Sequence, residues 1–346
     1  AKFRDKLGVV FASIGTVCGV GCMLGPLVGA GLYSFDGLSA AWRFRLPFFL
    51  TAVFPLLLAF ACLYVLPKEE GADTEEGRED TTSLGAEDGQ HSPKSGACRK
   101  TCNTLLNPAV ALSVVAIALS GTIVATLDPT LAYRLSTAGN TSTYPAWVNA
   151  HPSPFNYSEA TVALFFTYSS ITYVITSVPV GWLVDRYPGS PRVFKGIQAV
   201  GFVLLALCFA LLGPLRLPES LGGARLEHTL NTPLCAIVAL VIKGLGSSAN
   251  NAAYPDMVIG IPDDDEELQA VMSGLWNAAY SIGWAAGPFV GGAMYDVLEF
   301  DGFATIVAAV SAGYALCLFA AILPCVPDRR VRGAGWGRGE EEKEEK

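Results

Sequence analysis

The stretch Gly283-Trp-Ala-Ala-Gly287-Pro288-Phe-Val-Gly291-Gly-Ala-Met-Tyr295 has an earlier counterpart, Gly21-Cys-Met-Leu-Gly25-Pro26-Leu-Val-Gly29-Ala-Gly-Leu-Tyr33. Three Gly, one Pro and a closing Tyr recur in the same register. Small residues four apart flatten one helix face, so that a second backbone can approach it closely. A bound Pro bends the helix that carries it. One such run is weak evidence, because small faces are common in membrane helices. Two matching copies, each followed by a short loop and one further apolar block, point to duplicated halves.

The surrounding chain supports that reading. Of 346 residues, 51% are hydrophobic and only 16% charged, and the mean hydropathy is +0.41. A soluble domain carries about 25% charge. The apolar residues form blocks of about 20, the length that crosses a hydrocarbon core about 30 Å thick. Eight spans are predicted, at 7–33, 47–66, 108–131, 161–184, 194–212, 233–254, 271–295 and 303–324. Residues 1–67 hold two of them and 108–327 hold six. The polar segment 68–107 reads as a disordered linker, and 328–346 as a charged tail. If the halves are duplicates, four spans precede Ala1. The chain is then an all-α membrane protein with spans five to twelve of twelve.

Charge sets the orientation. With Ala1 in the cytoplasm, the opposite side holds only Arg43, Arg45, Arg134, Arg216 and Arg225. Lys195 and nearly all other Lys and Arg fall on the cytoplasmic side, as the positive-inside rule requires. Both Asn-x-Ser/Thr sequences, at Asn140 and Asn156, lie in one loop on the opposite side. The net charge of −8 comes largely from the linker and tail, so it says little about partners.

Within the spans the ionisable groups are few. His91, His151 and His228 all fall in loops, so a membrane proton relay must use a carboxylate. Asp128 is the acid inside the third span. Left charged and alone it costs about 3 kcal/mol on the lower, insertion-based scale. It therefore faces a partner or a cavity, or carries a proton; alternatively, Asp128-Pro129 caps a broken helix. Lys243 is a cation well inside a span, either paired with Asp128 or reaching water along its own stem. Asn277, Tyr280 and Trp284 recur at helical spacing and offer an amide and two aromatic faces suited to a cation. Asp256 reads as a solvated residue near a cytoplasmic helix end.

Nothing points to an enzyme. No phosphate-binding Gly-Lys-Ser/Thr loop, nucleophile elbow or metal-ligand spacing is present, and no feature suggests nucleic-acid binding. No cofactor or structural disulfide is expected; the expected partners are a small molecule, protons and the bilayer.

At Gly274, Gly283, Gly287-Pro288 and Gly291-Gly292 the sequence resembles the antiporter motif of the major facilitator superfamily. The first copy, with Gly21, Gly25, Pro26 and Gly29, has Ala12 and Ala30 in place of two glycines. Gly181-Trp-Leu-Val-Asp185-Arg186 resembles that family's cytoplasmic gating motif, departing from it after Arg186. Leu127-Asp128-Pro129-Thr130-Leu131, Tyr254-Pro255-Asp256-Met257 and Gly274-Leu275-Trp276-Asn277 are similar to stretches of the vesicular amine transporters, solute carrier family 18, nearest its polyamine-transporting branch. The resemblance implies exchange of cytoplasmic amines for lumenal protons across a vesicular or other endomembrane, with the plasma membrane as the alternative. It also implies that Tyr173 is a cavity tyrosine. It places Asn250 and Asn277 where the monoamine branch is acidic, which implies a different substrate charge or proton count. A carrier of an anionic or zwitterionic metabolite, and a non-transporting membrane scaffold or sensor, remain as alternatives.

Overall fold

The computed structural model describes residues 6–33, 37, 39–65, 107–135, 155, 157–213, 232–259, 261 and 265–322. The tail, Asn140, Asn156 and the linker up to residue 106 lie outside them. The helices are α1 (Leu7–Tyr33), α2 (Ala40–Val65), α3 (Pro108–Leu135), α4 (Glu159–Arg186), α5 (Pro191–Leu212), α6 (Pro233–Ala249), α7 (Ala253–Val258) and α8 (Glu266–Ile322), with a 3-10 segment, Asn250–Ala252, between α6 and α7. Local chemistry explains several starts. Ser158 Oγ accepts the Thr161 N–H ahead of α4, and Thr232 Oγ1 accepts the Cys235 N–H ahead of α6. Pro191 and Pro233 occupy first-turn positions where no N–H is needed.

Seven helices among the described residues are long and apolar enough to cross a membrane. The last is α8, at 57 residues. A straight helix of that length would run about 86 Å, nearly three bilayer cores. It is interrupted at Glu299, where φ is 57° and ψ 177°, so the chain turns there and α8 supplies two crossings. These correspond to the predicted spans 271–295 and 303–324, so that the described residues hold eight helical segments at the predicted positions. The ends differ modestly. α2 begins at Ala40, which places Arg43 and Arg45 inside the helix, and α3 continues to Leu135.

The chain divides into two compact units, residues 1–27 with 101–346, and residues 28–100. In the first, α3 and α5 pack against α8, and α6 against α4 and α5. Its core includes Leu127, Leu131, Phe202, Phe209 and Phe303. Ile175, Trp182, Leu234, Ile282 and Phe289 remain exposed. That pattern fits a bundle solvated by lipid tails, where close packing and not water exclusion holds helices together.

The second glycine run carries one of these interfaces. A Cβ added at Gly287 would lie 2.8 Å from Thr122 O, and one at Gly291 2.8 Å from Thr126 O, while at Gly283 it would strike Ala118 O. The run is thus the groove that seats α3. In the first copy, a Cβ at Gly21, Gly25 or Gly29 meets open space among the described residues. α1 instead uses another face, Gly8, Ala12, Gly15 and Gly19, against Gly181, Tyr173 and Val174 of α4.

Candidate functional site

A small cleft, about 40 Å³ in volume, opens in the first unit. α3 lines it with Ile117, Ser120 and Val124, α4 with Tyr173, and α8 with Trp276 and Tyr280. The remaining wall is Ser247 with Asn250 and Asn251 of the 3-10 segment. That break has a local cause. Pro255 has no N–H to give Asn251 O, four residues back, and its ring crowds that carbonyl, which favours a local departure from regular α-helix there. Short 3-10 stretches inside longer helices often mark working positions.

Two amides of the cleft are held by hydrogen bonds. Asn251 Nδ2 donates to Tyr173 Oη at 3.1 Å. Asn250 Nδ2 donates to Ser120 Oγ at 2.8 Å. The other end of the Asn250 amide lies against Gly201 of α5, where a Cβ would come within 2.7 Å of it. Gly15 lets Tyr173 approach α1, since a Cβ there would fall 2.7 Å from the phenol oxygen. An aromatic column follows. Trp276 stacks on Tyr280 at 5.3 Å, Tyr280 meets Trp284 at 5.9 Å, and Phe11 of α1 lies 4.8 Å from Trp276 and 4.1 Å from Tyr254.

The structure therefore brings Tyr173, Asn250 and Tyr280 to one wall, with Trp284 one turn further along α8. It does not bring Asn277 there. That side chain is exposed and its Nδ2 bonds back to Ser273 O at 3.0 Å. The aromatic face of α8 runs through Trp276, one residue away from the predicted register. Asn251, Ser120 and Ser247 were also missed, and the Asn250-Asn251 pair four residues ahead of Pro255 is the signal that marked the segment.

α3 is continuous through Asp128 and Pro129, so Asp128 does not cap a broken helix. Ser120, Val124 and Asp128 follow at successive turns, which places Asp128 one turn beyond the cleft on the same face. Its side chain is exposed. Lys243 is buried, with 6% of its surface accessible. Among the described residues no ion pair joins the two.

Two further acids behave differently from each other. Asp185 Oδ1 accepts the Gly8 N–H at 2.7 Å and Oδ2 accepts the Val9 N–H at 2.9 Å. An anion at the first free N–H groups of a helix is favourable on both hydrogen-bond and dipole grounds. Asp185 thus ties α4 to the start of α1, and Gly181, one turn earlier, permits that approach; Arg186 beside it is exposed. Asp256 is not the solvated interface residue expected. It is buried and forms an ion pair at 2.6 Å with Lys195, which is itself fully buried and not a free cytoplasmic charge. Ser113 of α3 and Lys195 and Gln198 of α5 surround Asp256, which a linear reading of span ends does not reveal.

Among the described residues no cluster of His, Cys, Asp and Glu is arranged to hold a metal. A model of the Major Facilitator Superfamily matches residues 130–345. The human protein named MFS-type transporter SLC18B1 is 25% identical over 324 residues, covering 92% of this chain and 59% of its own length. The mouse protein of the same name is 25% identical over 305 residues, covering 86% of this chain and 54% of its own. The chain thus spans less than two thirds of the length of the curated relatives it matches. With more than half of its residues matched to that family, and with its paired crossings and glycine-seated helices, this multi-pass membrane protein belongs to the Major Facilitator Superfamily, whose members are carriers and not enzymes.

Proposed function

We propose that this protein is a secondary active transporter that exchanges small organic cations, amines or polyamines, for protons across an endomembrane. The observation that supports this most is the placement of Asp128, an ionisable group one helical turn beyond a cleft of amides, hydroxyls and aromatic faces. Aromatic faces attract cations and are neutral themselves. Asp128 is then the charge that a substrate ammonium and a proton occupy in turn. Alternating access, with the two halves rocking about a midplane site, carries each across. The amide at Asn250 leaves the cleft wall uncharged, in keeping with a substrate recognised by hydrogen bonds and π faces beside one carboxylate.

Uptake of radiolabelled putrescine into proteoliposomes bearing the full-length protein and an imposed pH gradient tests this. Asp128→Asn keeps shape and hydrogen bonding but cannot ionise. It is expected to abolish gradient-driven uptake at normal protein abundance, and Asp128→Glu to retain part of it. Undiminished gradient-driven uptake by Asp128→Asn would remove Asp128 from the coupling step.

Lys243 supports a second reading, a carrier of anionic or zwitterionic metabolites, because a buried cation near the site repels amines. The same vesicles loaded with competing carboxylates separate the two: inhibition by carboxylates and none by diamines selects the second.

A further inference from the structure

The Lys195–Asp256 pair has no part in the transport step above, yet it is the most fully buried pair of charges among the described residues. The two side chains expose 0% and 2% of their surface. Asp256 Oδ2 accepts from Lys195 Nζ at 2.6 Å, from Ser113 Oγ at 2.5 Å and from Gln198 Nε2 at 3.3 Å. Lys195 Nζ also donates to Ala109 O at 3.1 Å and Ser113 Oγ at 3.2 Å. One carboxylate oxygen thus joins α3, α5 and α7.

We propose that this cluster is a positioning device for the transport cleft: by anchoring α7 it holds the 3-10 segment so that Asn250 and Asn251 face the cleft. α7 has only six residues, too short to be stable by its own hydrogen bonds. It follows the break directly, and Asp256 lies five residues after Asn251. Any rotation or slide of α7 would pass to both amides. Ala253 and Met257 of α7 also share an apolar cluster with Ile117 and Met272, but apolar contacts are non-directional. Three donors converging on one oxygen define both its height and its rotation.

The energetics favour a geometric role over a stabilising one. A buried ion pair replaced by apolar residues of similar volume usually loses no stability, whereas removing one partner leaves a costly isolated charge. All members also belong to the same six-span block, so rocking of the two halves leaves the cluster intact. It is a fixed brace and not a latch that opens in each cycle.

The consequence for uptake rests on the transport reading above; the consequence for the backbone does not. Asp256→Asn strands Lys195 and is expected to lower protein abundance. The double variant Lys195→Met with Asp256→Leu keeps volume and removes both charges. In the full-length protein it is expected at normal abundance, with amides of residues 250–258 exchanging about tenfold faster with deuterium. In putrescine uptake its KM should rise about tenfold, with the maximal rate nearly unchanged. Wild-type amide exchange in the double variant, or faster exchange with an unaltered KM, overturns the proposal. If the wild-type protein takes up no putrescine, the transport reading fails, and the exchange measurement alone decides whether the brace exists.

Discussion

Asp185 shows how one residue can join two parts of the chain. Its two oxygens accept the Gly8 and Val9 N–H groups at the start of α1, donors that a helix cannot satisfy internally. Asp185→Asn retains one carbonyl oxygen but turns the second acceptor into a donor facing an N–H. The expected cost is about 1–3 kcal/mol, from one lost charge-assisted bond and the lost charge at a helix start. It should appear as a lower melting temperature of the detergent-purified protein, read by tryptophan fluorescence. An unchanged melting temperature would show that the contact is not formed in solution. Asp128, in contrast, is exposed, so its replacement by Asn should alter coupling and leave stability alone.

At the scale of elements, the glycine run of α8 is a seat for α3. Backbone atoms at Ala118, Thr122 and Thr126 stand where Cβ atoms at Gly283, Gly287 and Gly291 would sit. Backbone cannot rotate aside, so Gly287→Ala or Gly291→Ala must push the helices apart. Overpacking of this kind costs about 1–3 kcal/mol. Gly274 and Gly292 have nothing within 4 Å, and Ala there should be neutral or slightly stabilising through its better helix propensity. Thermal unfolding of the four single variants checks this, and equal melting temperatures in all four would refute the seat. The same comparison shows why the repeat was legible and its use was not. Matching residues in α1 and α8 are visible in the sequence, but only packing reveals that α1 meets α4 through Gly8, Ala12, Gly15 and Gly19.

For the whole molecule, the Lys and Arg distribution predicts that Asn140 and Asn156 lie opposite the cytoplasm, and that the linker and tail lie within it. Protease added to sealed vesicles of known orientation is expected to cut the 68–107 segment from the cytoplasmic face alone. N-glycan on Asn140 or Asn156 should resist glycosidase until the vesicles are opened. Linker cleavage from the opposite face only would reverse the assignment.

The crossings were readable from sequence because a hydrocarbon core imposes a length and a polarity on each segment, one segment at a time. The repeated glycine run identified the family for a similar reason: close helix approach demands small residues at a fixed spacing, and that demand is local. Lys243 and Asp128 could be found as isolated charges in apolar runs on the same ground. What faces what could not. Lys195 and Asp256 lie 61 residues apart and each reads alone as a solvated end charge; the packing of α3, α5 and α7 buries them together. Trp276 replaces Asn277 on the cleft wall because a helix face is decided by rotation, about 100° per residue, and only the packed neighbours α1, α3 and α7 set that rotation.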